Sequence, residues 1–123
     1  MGLLSTLLGH ASDLTPEQTR EDLDGILLPE ESVEVAFKLI RDLFVFTDRR
    51  LILVDKQGVT SRKVDYLVVP YRAITSYSIE TAGTLDMDSE LKIWTSGRAE
   101  PIQKTLKRGA NIRGIQAAIA AAL

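Results

Sequence analysis

Two short apolar runs, residues 43–46 and 51–54, constrain the fold of this chain most strongly. Strands are usually this short, and the β-branched and aromatic side chains of both runs suit a pleated sheet better than a helix. Between the runs, the side chains of Thr47 and Asp48 can hydrogen-bond to nearby backbone at a chain reversal. The pattern therefore predicts two antiparallel strands that are joined by a turn at Thr47 and Asp48.

Both predicted strands are apolar on both of their faces. In the first strand, Leu43 and Val45 share one face while Phe44 and Phe46 share the other, and residues 51–54 also lack alternation. A sheet with two apolar faces needs cover on both sides. We therefore expect another element, or another molecule, to pack on the outer face of this sheet.

Length and composition indicate one globular domain. The chain has 123 residues, of which 45% are hydrophobic and 26% are charged, so it can bury a core without cross-links. The formal net charge of -2 provides no global basic field for nucleic acid. No cysteine is present, and no apolar run reaches the ~20 residues that span a bilayer. We expect a cytoplasmic protein that does not bind nucleic acid.

Two short helices are predicted before the first strand. The first is indicated by leucines at helical spacing, namely Leu3, Leu4, Leu7 and Leu8. The second begins at a favourable sequence, in which Thr15 can act as the N-cap, Pro16 suits the first helical position and Gln18 follows the cap by three residues. We treat residues 1–29 as an N-terminal helical extension and residues 30–123 as the main domain.

Seven strands and a closing helix are predicted in the main domain. The strands are expected at residues 33–39, 43–46, 51–54, 64–69, 74–80, 90–95 and 101–107. In the strand at residues 33–39, one face is expected to carry Val33, Val35, Phe37 and Leu39. The last three strands alternate between a core face and a wet face, as antiparallel strands commonly do. Asn111 can cap the final helix, whose apolar stripe consists of Ile112, Ile115, Ile119 and Leu123.

This order of four strands, three strands and a helix resembles the pleckstrin-homology superfold. Residues 46–53 (FTDRRLIL), 79–83 (IETAG) and 91–94 (LKIW) are similar to the bacterial pleckstrin-homology-like family. The resemblance covers roughly residues 30–123, and its motifs are structural. It implies a mainly β (α+β) fold, a barrel or sandwich of seven antiparallel strands closed by the C-terminal helix. It also implies relatives that form ring-like assemblies.

The sequence offers few groups for catalysis. His10 is the only histidine, and no orienting partner for a general base can be assigned to it. Asp86, Asp88 and Glu90 alternate with apolar residues, which is typical of a solvated hairpin edge and not of a calcium loop. We therefore expect no enzyme, no catalytic residue, no metal site and no cofactor.

Basic residues near the predicted loops are the candidate anion-binding set, which consists of Lys56, Arg62, Lys63 and Arg98. The resemblance implies that phosphoinositide binding would need a long basic first loop. Here that loop is essentially Arg41 and Asp42, so phosphoinositide binding is not expected. Arg49 and Arg50 are expected to pair with Asp48, Asp55 or Asp65, or to cover apolar surface with their stems.

We predict a non-enzymatic binding module that assembles with itself, in a ring-like form that the resemblance implies, and that contacts an unidentified protein. An outward apolar patch on the second to fourth strands is the basis, because such patches usually mark interaction surfaces. The candidate interface residues are Leu3, Leu4, Leu7, Leu8, Leu43, Val45, Ile52, Val54, Leu67 and Val69. Cover by the N-terminal residues of the same chain is the competing interpretation.

Recruitment to a membrane or lipid is the alternative function, through the leucine helix and the basic loop residues. Such a helix normally carries lysine or arginine on its polar face. Residues 1–24 have Arg20 as their only base together with five acidic residues, and an acidic segment is repelled by anionic lipid. The sequence therefore favours protein contacts over membrane binding.

Overall fold

The computed structural model describes residues 13–39, 42–57, 63–81, 88–107 and 110–123. In chain order the elements are β1 (Asp13–Leu14), α1 (Pro16–Asp22), β2 (Val33–Leu39), β3 (Asp42–Thr47), β4 (Arg50–Gln57), β5 (Lys63–Pro70), a 3₁₀ turn (Tyr71–Ala73), β6 (Ile74–Glu80), β7 (Ser89–Thr95), β8 (Ile102–Leu106) and α2 (Ile112–Ala122). The helix predicted over Leu3, Leu4, Leu7 and Leu8 lies outside the described residues, as do His10 and Arg62.

The strands form two antiparallel sheets. One contains β1 to β5 in sequence order and the other contains β6 to β8. The mainly β fold with a C-terminal helix is therefore confirmed, whereas the described strands form two separate sheets and do not close into a barrel. β1 was not predicted, because a strand of two residues is too short to show alternation. No helix in the described ranges has the length and apolar character needed to cross a membrane.

Local capping explains where α1 begins. Thr15 Oγ1 accepts a hydrogen bond from the Gln18 N–H at 3.2 Å, and Gln18 Oε1 accepts one from the Thr15 N–H at 3.1 Å. Pro16 occupies the first helical position, and Gly25 beyond the helix adopts a φ of 85°. The predicted capping box is confirmed.

The turn between β3 and β4 also forms as predicted. Thr47 Oγ1 accepts hydrogen bonds from the N–H groups of Arg49 and Arg50 at 3.1 and 3.0 Å. These bonds hold the reversal and so fix β3 against β4.

The main core lies between the two sheets and under α2. Its buried residues are Val35, Phe37, Leu39, Phe44, Phe46, Leu51, Leu53, Val69, Leu91, Ile93, Ile102, Leu106, Ile115, Ala118 and Ile119. From α2, Ile115 and Ile119 are fully buried and Ile112 packs at the margin, whereas Leu123 is 61% exposed. The apolar stripe of the helix therefore covers the core as far as Ile119.

A β-bulge at the start of β2 corrects the predicted face of this strand. The register shifts between Val33 and Val35. Val33 therefore packs on the outer side of the sheet, while Val35, Phe37 and Leu39 face the main core. Period-two reasoning could not detect the one extra residue that a bulge inserts.

The outer face of the larger sheet is covered by the same chain. A second cluster, here called the outer cluster, consists of Leu23, Ala36, Leu43, Val45, Ile52 and Val54, with Leu14, Ile26 and Leu27 packed against it. Each of the predicted interface residues Leu43, Val45, Ile52 and Val54 is at most 3% exposed. The expectation that they form an open surface was wrong, because residues 23–27 bring apolar side chains that lie beyond the polar helix α1.

Leu67 and Val69, the last two of the predicted interface residues, face the main core and not the outer side of the sheet. Val69 is buried in the main core, and Leu67 packs against that core from β5. Neither is on the outer face, so the argument for a subunit contact at these positions does not hold.

Candidate functional site

An exposed apolar pair lies on the edge of the larger sheet. β5 is the last strand of this sheet, and within the described residues it pairs only with β4. Tyr66 and Val68, here called the β5 strip, are 36% and 38% exposed. They stand opposite Val54 and Ile52 of the outer cluster, so the strip continues that apolar face beyond its cover.

The buried carboxylate of Glu31 ties the N-terminal segment to the turn between β3 and β4. Its oxygens accept hydrogen bonds from Thr47 Oγ1 at 2.6 Å, from Arg50 Nε and Nη2 at 2.9 Å each, and from the Leu28 N–H at 3.1 Å. The bonds from Arg50 lower the pKa of Glu31 from 4.5 to about 2, although burial opposes this decrease. A carboxylate with these partners is suited to structural support and not to proton transfer.

This cluster corrects the predicted partners of two arginines. Arg50 pairs with Glu31, and Arg49 approaches Glu30 at 4.0 Å. Neither forms an ion pair with Asp48, Asp55 or Asp65 among the described residues. Sequence reasoning missed Glu31 because nothing in its neighbourhood distinguishes it from an exposed loop glutamate.

Arg20 anchors the segment from the side of α1. Its guanidinium donates to the carbonyl oxygens of Glu31 at 2.6 Å, Leu28 at 3.0 Å and Pro29 at 2.9 Å. The loop that covers the sheet is thus held at both its sides by charged hydrogen bonds.

A lysine links the two sheets through a pair of aspartates. Asp42 and Asp55 face each other across β3 and β4, and Lys104 of β8 lies 3.8 and 4.0 Å from their carboxylates. Burial raises the pKa of Asp42, Lys104 opposes this increase and Asp55 adds to it. Among the described residues, no group of three or more acidic, histidine or cysteine side chains could hold a metal ion.

The three described members of the predicted anion-binding set, Lys56, Lys63 and Arg98, do not form a uniformly basic patch. Lys56 lies half-buried near the end of β4, and the exposed Lys63 begins the neighbouring β5. Asp55 and Asp65 face each other in the same ladder, so both signs of charge alternate there. Arg98 lies outside both of these strands, in the turn that follows β7 of the smaller sheet.

A cleft of about 350 Å³ lies between the larger sheet and the last turns of α2. We call it the Tyr71 cleft, and its lining residues are Glu34, Val35, Phe46, Thr47, Asp48, Tyr71, Ala118, Ala121 and Ala122. The small alanine side chains of α2 leave this space open. No sequence signal predicted the cleft, because its residues come from four separate segments.

Tyr71 is fixed at the side of the cleft. Its hydroxyl donates to the carbonyl oxygen of Thr47 at 2.5 Å. Burial raises the pKa of Tyr71, and the carboxylates of Glu34, Asp48 and Glu31 add to the increase, while the hydrogen bond to Thr47 opposes it. The phenol of Tyr71 therefore stays protonated and acts as a hydrogen-bond donor beside several carboxylates.

Comparison with known proteins places these features in a wider group. The family model described as "Bacterial PH domain" matches residues 2–123. The chain is 52% identical over 122 residues to Uncharacterized protein YjqA of Bacillus subtilis (strain 168), covering 98% of both chains. It is 29% identical over 97 residues to Uncharacterized protein YozO of the same organism, covering 79% of this chain and 82% of that one.

Solved structures show the same similarity in three dimensions. The pleckstrin homology domain from Shewanella amazonensis SB2B superimposes with a TM-score of 0.84 at 52% identity, covering 99% of both chains. A DUF1696 family protein with a pleckstrin-homology domain from Shewanella loihica PV-4 gives a TM-score of 0.77 at 50% identity, covering 92% of this chain and 97% of that one. The resemblance inferred from the sequence motifs is thereby confirmed.

Proposed function

Because this chain belongs to the bacterial PH domain family, we propose that it is a non-enzymatic binding and assembly module that acts through protein–protein contacts. Its first partner, in this proposal, is a second copy of the same chain. The observation that carries the proposal is the β5 strip, since exposed apolar side chains on an edge strand favour association.

An edge strand supports association through its backbone as well as its side chains. The outer N–H and C=O groups of such a strand are open to a further strand, and main-chain pairing of this kind is a common mode of protein recognition. In β5, these groups lie beside Tyr66 and Val68. A docked strand would therefore gain hydrogen bonds and bury apolar area at the same place.

The two sheets of one chain offer unlike edge strands to another chain. In the described part of the chain, β5 ends the larger sheet, and β6 and β8 end the smaller one. A contact between β5 of one copy and an unlike edge of the next copy is heterologous, and it closes into a ring when the rotation between copies permits. This geometry would suit the ring-like assembly that we expected from the sequence.

The non-enzymatic part of the proposal is supported by how the buried charges are used. Glu31 is engaged by Arg50, Thr47 and the Leu28 N–H. The Asp42 carboxylate lies beside Lys104 in a contact between the sheets. Both carboxylates thus join segments of the fold, and the hydroxyl that bonds to Glu31, Thr47 Oγ1, is itself engaged in the turn between β3 and β4.

Sedimentation velocity of two matched lysine variants tests the proposal. Val68→Lys places a charge in the β5 strip, whereas Leu28→Lys changes a residue that is 43% exposed and lies outside the strip. We expect the native chain and Leu28→Lys to sediment as multiples of 13.6 kDa, and Val68→Lys to sediment as the single chain. Equal dissociation of both variants, or a native chain that sediments at 13.6 kDa, would overturn the proposal.

A further inference from the structure

The bulge in β2 gives the Tyr71 cleft a charged wall. Consecutive residues of a regular strand point to opposite faces, so Glu34 and Val35 should not share a site. The register shift between Val33 and Val35 removes this restriction, and Glu34 and Val35 both line the cleft. Bulges often re-aim a side chain in this way at functional positions.

Among the residues that the structure describes, the rim of the cleft is acidic and has no opposing charge. Glu34 and Asp48 both line it, and none of the lining residues is lysine, arginine or histidine. The neighbouring Arg49 and Arg50 are directed to carboxylates outside the cleft. Within the described residues, neither Glu34 nor Asp48 forms an ion pair, although Asp48 Oδ1 accepts a hydrogen bond from the Ser32 N–H at 2.9 Å.

Two further features make the electrostatic environment of the cleft negative. The carboxylates of Glu34 and Asp48 add to the raised pKa of Tyr71, whose main cause is burial. The carbonyl end of α2, at Ala121 and Ala122, also borders the cleft, and this end of a helix carries partial negative charge.

The floor of the cleft is apolar. Val35 and Phe46 of the main core form part of it, and the alanines of α2 form the rest. The volume of about 350 Å³ lies at the lower end of the range for small-ligand sites. Such a space suits an unbranched alkyl stem whose charged head remains at the rim, as lysine and arginine side chains arrange themselves.

We propose that the Tyr71 cleft receives an arginine or lysine side chain from a basic segment of a protein partner. The alkyl stem lies against Ala118 and Ala122, and the cationic head bonds to the carboxylates of Glu34 and Asp48. This site is separate from the β5 strip, so it assigns a second partner class beyond the assembly proposed above.

Titration of the native chain with short peptides tests the charge requirement. The probes are acetyl-Ala-Arg-Ala-amide and the same peptide with citrulline, which has the shape of arginine without its charge. Binding is followed by the NMR signals of Val35, Ala118, Ala121 and Ala122. We expect the arginine peptide to bind about 10- to 100-fold more tightly than the citrulline peptide, as the loss of a charged hydrogen bond implies.

Matched variants localise the binding. Glu34→Gln should weaken the arginine peptide about 10- to 100-fold, while Glu80→Gln removes an exposed carboxylate elsewhere and should leave the affinity unchanged. Ala122→Leu fills the cleft and should abolish binding, while Ala120→Leu makes the same change at an exposed helical position outside the lining. Val68→Lys should retain the site, so failure of the assembly proposal would be seen separately.

Three results would overturn the inference. The first is equal affinity for the arginine and citrulline peptides, which would show that charge is not recognised. The second is equal weakening by Glu34→Gln and Glu80→Gln, which would show a general charge effect. The third is binding of free butylguanidinium as tightly as the peptide, which would assign the cleft to a small cation and not to a protein partner.

Discussion

Replacement of Glu31 by glutamine should remove one identifiable component of the acid sensitivity of this fold. The pKa of Glu31 falls from 4.5 to about 2 in the folded chain, mainly through hydrogen bonds from Arg50. Since each pH unit of difference corresponds to ~1.36 kcal/mol, the ionised carboxylate contributes about 3 kcal/mol to the free energy of unfolding. The side chain is 0% exposed, so solvent screens this contribution little.

The direction of the pH effect follows from the lowered pKa. The stabilisation is fully present above pH 4.5, where Glu31 is ionised in the unfolded chain too, and it is lost as the pH falls towards about 2. Urea unfolding can be followed by the fluorescence of Trp94, the only tryptophan. Over this pH interval, the native chain should lose about 3 kcal/mol more of its unfolding free energy than Glu31→Gln.

Glu30→Gln provides the control, because Glu30 is the preceding carboxylate and its side chain is 65% exposed. Its unfolding free energy should follow that of the native chain within about 0.5 kcal/mol. If the native chain and Glu31→Gln lose stability in parallel below pH 4.5, the reasoning about the buried pair is refuted.

Two other substitutions probe the packing of α2 and the contact between the sheets. Ile115→Ala should lower the unfolding free energy by ~2–5 kcal/mol, because the side chain of Ile115 in α2 is fully buried against the core. An unchanged melting temperature would show that α2 is not docked. Asp42→Asn should raise the melting temperature at neutral pH, since burial, with a contribution from Asp55, disfavours the ionised form of Asp42 in the folded chain. This gain should shrink in acid as Asp42 becomes protonated, and a loss of stability at neutral pH would contradict the assignment.

Local sequence signals predicted the elements where the chemistry is short-range. Thr15, Pro16 and Gln18 specify the start of α1 through bonds within four residues of each other. Thr47 specifies the turn between β3 and β4 in the same way, and Asn111 caps α2 by accepting from the Gly114 N–H at 2.9 Å. Such features depend little on the rest of the fold.

The faces of the strands could not be predicted equally well. Where both faces are apolar, as in β5, alternation gives no information on which set points inward, and Leu67 and Val69 were assigned outward in place of Tyr66 and Val68. The bulge beside Glu34 added a second error of the same kind.

The Tyr71 cleft could not be predicted from the sequence, because its residues come from separate segments. The Tyr71 cleft joins the start of β2, the turn after β3, the 3₁₀ turn and the end of α2. In the sequence, the lining residues Ala118, Ala121 and Ala122 indicate only a preference for helix. Only the packing of α2 on the sheets brings them opposite Glu34 and Asp48.

The molar mass of the unmodified chain in solution tests the proposed assembly most directly. Light scattering should be measured over a range of micromolar concentrations and at two salt concentrations, since an apolar contact on β5 should resist salt. We predict a mass that is an integral multiple of 13.6 kDa and is retained at high salt. A mass of 13.6 kDa throughout the range would contradict assembly through the β5 strip.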